Sequence, residues 1–302
     1  MIRPVTIYRA IVASVGLGAV VAAAGPVSGQ TSSLTTRMAT VDGRQIRVRT
    51  AGLESRKERQ AVIVFESGAT LPLETWDSIL PKVATFAPVV AYDRVGTGSS
   101  PWDSLPQTPE RIVARLQQLL TTLDVRPPYM LVGHSWGGAL IRYFGGAHPS
   151  DVVGMVYIDP TDLTESRAEE LAVFQSIGSN AAARDSFYNM MERAMLNSPP
   201  ALRSEGATTM AILKRDVAER NLPSAPPVPT TVIVAGKPSV LPPTGLPFDA
   251  KRFAEASYAD RLRSLRRWVR EPGQFIVATN SGHMIHLSEP GLVIDAIRRL
   301  VR

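Results

Sequence analysis

The chain has 302 residues, 44% of them hydrophobic and 20% charged, which suits one large packed core and excludes a disordered or fibrous chain. Its formal net charge is +6, but the basic residues are scattered apart from residues 261–270, where a nucleic-acid face is the alternative to a solvated helix face, and no nucleic-acid motif accompanies them, so no nucleic-acid partner is expected. Cysteine is absent, which excludes a disulfide framework, a thiolate metal site and a lipid-modified cysteine.

Residues 1–29 read as a signal peptide. Arg3 and Arg9 supply a positive start, residues 10–24 are apolar, and Val27 and Gly29 permit cleavage before Gln30, with Ala22-Ala23-Ala24 as a second site. The apolar run is short for a membrane span, so export to the periplasm or the outside is expected, without a stable membrane anchor, an uncleaved anchor being the minor alternative. A polar linker is expected over residues 30–37.

From residue 38 the pattern alternates between strands and helices. Asp42-Gly43 sits between two alternating segments and predicts a β-hairpin. The apolar runs at 61–65 and 89–92 predict buried parallel strands. Thr108-Pro109-Glu110 predicts a capped helix start, followed by one apolar face of Ile112, Val113, Leu116, Leu119, Leu120 and Leu123. Further strands are expected at 129–132, 152–158, 231–235 and 275–278, and a closing helix carries Leu292, Val293, Ala296, Ile297 and Leu300 inward. Arginines within residues 261–270 predict a helix with a solvated basic face, its Leu262, Leu265 and Val269 turned inward.

Residues 160–228 break this alternation. Amphipathic helices are expected around Leu171, Phe174 and Ile177, around Phe187, Met190 and Met191, and around Ile212, Leu213 and Val217, before a proline-rich exit. The segment reads as a helical cap inserted into a core of residues 38–159 and 229–302. Its four methionines suit either an adaptable pocket wall or ordinary helix packing.

The chemistry concentrates at Gly133-His134-Ser135-Trp136-Gly137, between an apolar strand and an apolar helix. That context makes G-x-S-x-G a nucleophile elbow, with the serine hydroxyl held above the sheet at a helix N-terminus. Serine needs an adjacent base. Of the four histidines, His134 adjoins the serine and points away from it, and His148 ends a helix. His283 and His286 follow the last strand, at the sheet edge where catalytic groups collect. His283 is preferred as the base on the chain order nucleophile, acid, histidine, with His286 as a packing or hydrogen-bonding neighbour.

With Ser67-Gly68-Ala69, the Asp93-Arg94-Val95-Gly96-Thr97-Gly98 turn, the elbow and Gly282-His283, the chain from residue 38 resembles the α/β-hydrolase superfamily, cap-bearing serine hydrolases in particular. The resemblance implies an α/β fold with a mainly parallel sheet and helices on both faces. It implies an oxyanion hole at the backbone N–H groups of Ala69 and Trp136, and a structural role for Asp93 and Arg94. The usual His-Gly of that loop is Ser67-Gly68 here, which leaves the backbone donor available. The acid departs from the common pattern. The turn after the seventh strand reads Gly236-Lys237-Pro238-Ser239, and serine cannot supply the charge. Some relatives place the acid after the sixth strand, where Asp159 stands. Asp159 reads otherwise as an Asp-Pro turn at the cap entry, with Asp249 and Asp162 in reserve.

The expected activity is hydrolysis of an ester or similar acyl bond of a small substrate by Ser135, His283 and Asp159. No metal and no cofactor is expected, since no ligand set, dinucleotide fingerprint or P-loop is present. Peptidase, C–C hydrolase and cofactor-free peroxidase chemistry share such a triad, and a non-catalytic ligand-binding protein on the same scaffold is the alternative from another class. Asp-nucleophile dehalogenases and epoxide hydrolases are disfavoured by the serine at the elbow.

Overall fold

The computed structural model describes residues 33–238 and 245–301. The expected signal peptide and Ser239 lie outside the described residues. The hairpin of β1 (Thr35–Val41) and β2 (Arg44–Ala51) turns at Asp42 and Gly43, both at positive φ, as a two-residue turn requires. Strand β1 starts within the expected linker of residues 30–37. Thr35 and Thr36 pair with Thr50 and Arg49, and their polar side chains fit because this edge strand exposes most of its residues.

Six further strands are β3 (Val62–Glu66), β4 (Val89–Tyr92), β5 (Tyr129–His134), β6 (Val152–Ile158), β7 (Thr230–Ala235) and β8 (Phe275–Ala278). The sheet runs β1-β2-β4-β3-β5-β6-β7-β8. Strand β2 is antiparallel to both neighbours, and all later pairs are parallel. Alternation along β3 sends Val62 and Val64 to one core and Ile63 and Phe65 to the other.

Helices cover both faces. On one lie α2 (Pro109–Thr122) and α3 (Trp136–Ala147), contributing Ile112, Leu116, Leu140 and Phe144. Helix α2 starts as its sequence predicts, with Thr108 accepting from the Arg111 N–H and Pro109 in the first turn. On the other lie the short α1 (Leu80–Val83) and α9 (Pro290–Val301), contributing Leu80, Val83, Val293 and Ile297.

Between β6 and β7 the chain forms α4 (Arg167–Ser176), α5 (Ala181–Met195) and α6 (Pro200–Lys214). A capping box of Ser166 and Glu169 starts α4, and Asn180 caps α5. Val217, expected in the third of these helices, falls in a separate single turn. Arg215 is extended, and Asp216 caps the new turn. Helix α7 (Ala250–Arg266) begins well before the expected basic stretch, capped by Asp249, and ends before Val269. Phe174 and Phe187 from the excursion meet Phe248 and Phe253 beside and on α7, ring centroids 4.8–6.0 Å apart. Leu265 is fully buried, while Leu262 and Val269 pack at the margin of the same core.

Candidate active site

Strand β5 runs straight into α3, and Ser135 is the hinge between them. Its φ of 54° and ψ of −120° form a strained conformation for a residue with a side chain. Close packing enforces the turn. A Cβ on Gly133 would lie 2.5 Å from the Gly137 carbonyl oxygen, and one on Gly137 would lie 2.2 Å from that of Glu66. The Ser135 N–H donates to the Ile158 carbonyl at 3.0 Å, tying the elbow to β6.

His283 stands in the loop between β8 and α8 (Ile285–Ser288). Its Nε2 is 2.9 Å from Ser135 Oγ and its Nδ1 is 2.6 Å from Asp159 Oδ2. Asp159 ends β6 at a φ of 41° and is 5% exposed. Its other oxygen, Oδ1, accepts from the Ala235 N–H and from Arg261 Nη2, each at 3.1 Å. Burial alone would raise the Asp159 pKa, but the Arg261 charge and the His283 hydrogen bond outweigh it and hold the carboxyl well below its ordinary value. An ionised Asp159 can only accept, so the Nδ1–H points at it and Nε2 is free to accept the Ser135 hydroxyl proton.

The reserve acids lie elsewhere. Asp249 accepts from the Lys251 and Arg252 N–H groups at 2.9 and 3.0 Å as a helix cap. Asp162 is bound to the Thr164 N–H at 2.7 Å and to the Ser264 hydroxyl. His148 packs its ring on Phe144 just past α3. His286 is fully buried, with Nε2 2.6 Å from Thr75 Oγ1, and burial holds its pKa down to about 3, so it is neutral.

The loop expected to supply the Ala69 donor, here called the oxyanion loop, follows β3. Trp136 opens α3, so its N–H has no partner within the helix. The Gly68 carbonyl accepts from Arg94 Nη2 and the Ser67 carbonyl from Arg94 Nη1, both at 2.7 Å. Arg94 also pairs with Glu66 at 2.7 Å, and Asp93 accepts from the Leu73 and Ser99 N–H groups at 2.7 and 2.8 Å. Both residues of this turn therefore shape the loops around Ser135.

Three contributors escaped the sequence reading. Arg261 was expected on a solvated basic face; instead it reaches Asp159 Oδ1 and the Pro160 carbonyl, the latter at 2.6 Å. His134 Nε2 lies 2.9 Å from the His283 carbonyl oxygen and steadies the loop that carries His283. Burial, then the neighbouring His286 and His283, keep His134 far below its ordinary pKa, so the neutral ring donates there. Glu205 of α6 meets Arg94 at 2.7 Å. Only His134 carried a local signal, its fixed place beside the elbow serine. Among the described residues, no group of three or more His, Cys, Asp or Glu side chains could hold a metal ion.

The comparisons agree with this fold. The chain is 27% identical over 235 residues to Uncharacterized protein YqjL of Bacillus subtilis, covering 78% of this chain and 81% of that one. An epoxide hydrolase, CorEH, superposes with a TM-score of 0.61 at 16% identity, over 89% of this chain and 98% of that one. A thermophilic esterase from Thermogutta terrifontis superposes with a TM-score of 0.58 at 19% identity, over 89% and 98%. At such identities the solved structures speak for the fold alone. The model of the alpha/beta hydrolase family matches residues 63–296, and the chain belongs to that family.

Proposed function

We propose that the protein is an exported serine hydrolase that cleaves an ester or similar acyl bond of a small substrate. The observation that carries this reading is the continuous hydrogen-bonded line from Ser135 Oγ through His283 to Asp159. Ser135 Oγ attacks the substrate carbonyl carbon while His283 Nε2 takes the hydroxyl proton. The Asp159 carboxylate stabilises the imidazolium that forms. The carbonyl oxygen becomes an oxyanion and accepts from the Ala69 and Trp136 N–H groups. Collapse breaks the bond to the leaving group, which departs with the proton from His283. Water then attacks the acyl-Ser135 ester, passes its proton to His283, and the acid is released with the serine restored. Epoxide hydrolases share the fold, but a serine at the elbow supports acyl transfer. The basic, apolar and small-residue order of residues 1–29 supports export.

The test is active-site labelling with a fluorophosphonate, followed by a panel of short and long acyl esters. Wild type labels and turns over at least one ester. Ser135→Ala abolishes labelling, and His283→Ala removes nearly all turnover, because triad members act as a unit. A folded wild type that neither labels nor hydrolyses any ester overturns the reading in favour of a ligand-binding protein. Loss of activity in His286→Ala with retention in His283→Ala would overturn the choice of base.

A further inference from the structure

Helix α6 belongs to the excursion between β6 and β7, yet its first half docks on the loops that follow β3 and β4. Three contacts hold it there. A Cβ on Gly96 would lie 2.3 Å from the Ala201 Cβ, so only glycine lets the helix approach this closely. The Gln107 N–H donates to Ser204 Oγ at 3.2 Å. Glu205, 3% exposed, lies 2.7 Å from Arg94 Nη2 and accepts from the Thr70 N–H at 3.1 Å.

These last contacts bracket one peptide unit. The Gly68–Ala69 bond is trans, since the only cis bonds among the described residues precede Pro128 and Pro272. In a trans peptide the carbonyl and the N–H point in opposite directions. Arg94 holds the Gly68 carbonyl at 2.7 Å, and so fixes the direction of the Ala69 N–H on the far side. Glu205 holds Arg94 on one side of this unit and the Thr70 N–H on the other. Thr70 sits at a φ of 65°, a costly conformation that needs such an anchor. Arg94 is 4% exposed and stays charged. Burial lowers its pKa, but Glu205 and Glu66 outweigh that and raise it above the ordinary arginine value.

We propose that Glu205 is a positioning residue for the oxyanion hole, so that docking of α6 and the aim of the Ala69 N–H are one event. This rests on the hydrolase reading above. Glu205 touches no reacting atom; it acts through Arg94 and Thr70.

The test compares wild type with Glu205→Ala and Glu205→Gln in the whole protein. Glutamine keeps an acceptor for the Thr70 N–H but loses the charge facing Arg94, and it covers the case in which the alanine variant fails to fold. Two readouts are taken: amide hydrogen exchange of the segment 67–71, and kcat and KM on the best ester. The expected result is faster exchange in that segment, with kcat reduced about tenfold or more and KM within about twofold, since an oxyanion donor acts in the transition state. Affinity for a boronic acid, which forms a tetrahedral adduct on the serine, falls in step with kcat. Unchanged exchange overturns the proposal. So does faster exchange with unchanged kcat, or a rise in KM alone, which marks a substrate-binding or merely structural helix. Failure of the hydrolase reading is separately visible, because wild type itself then does not react with fluorophosphonate.

Discussion

At the scale of single residues, the acid is the position where chemistry and sequence pattern part company. The turn after β7 offers Lys237 and Pro238, and the carboxylate comes instead from the end of β6. Asp159→Asn removes the charge while keeping the shape. Its neutral amide favours the wrong His283 tautomer, and turnover is expected to fall by about four orders of magnitude with the fold retained but thermal stability lowered, since the ion pair with Arg261 goes with the charge. Steady-state kinetics on the best ester checks this, and full activity in Asp159→Asn would place the acid elsewhere. Arg261 holds Asp159 by a charge-assisted hydrogen bond, an interaction worth about 1.5–3 kcal/mol. Arg261→Ala is therefore expected to lower kcat by roughly ten- to a hundredfold with little change in KM. An unchanged kcat would make the arginine a bystander. Ser135 and His283 were legible from short motifs because the elbow and the base loop are local devices. Arg261 was not, because its contact spans 102 positions and an arginine in a basic stretch carries no sign of its partner.

At the scale of elements, the excursion between β6 and β7 meets α7 through a group of carboxyls. Glu165 lies near Asp260, Glu170 and Asp162, and burial, with those neighbours, pushes its pKa up to about 8. Arg184 answers Glu170, and Arg263 answers Asp260, each at 2.5 Å. A carboxyl that binds its proton more tightly in the folded state makes stability fall as pH rises between its unfolded and folded pKa. For Glu165 that window runs from 4.5 to about 8. Glu165→Gln stays neutral throughout, so thermal melts are expected to show the variant more stable than wild type at pH 9 and nearly equal to it near pH 5. An equal difference at both pH values would remove Glu165 as the cause. The helices of this region were legible from apolar spacing and caps, but their ends were not. Extended Arg215 stops α6 short of Val217, and Asp249 starts α7 well before the basic stretch. Both boundaries depend on capping and on tertiary packing, such as the cluster of Phe174, Phe187, Phe248 and Phe253, which a periodicity count does not see.

At the scale of the whole molecule, the parallel sheet was legible because β3 to β7 each contain a continuous apolar stretch, with helical patterns between them. Strand order was not legible, since right-handed crossovers that return helices to both faces are compatible with several orders besides the observed one. What composition alone could not give is where the first strand begins. Thr35 and Thr36 look like linker by polarity, and only pairing with β2 makes them strand. This bears on export. Signal cleavage after Gly29 leaves β1 intact with five residues, 30–34, before it; cleavage after Ala24 leaves ten. Every described element begins at Thr35 or later, so removal of residues 1–29 is expected to leave thermal stability and fluorophosphonate labelling unchanged. Protein recovered from its native host is expected to start between residues 25 and 31, as terminal sequencing would show. An intact Met1 on protein from the cell interior would overturn export. A truncated chain beginning at Gln30 that melted well below the full chain would show that the leader belongs to the fold.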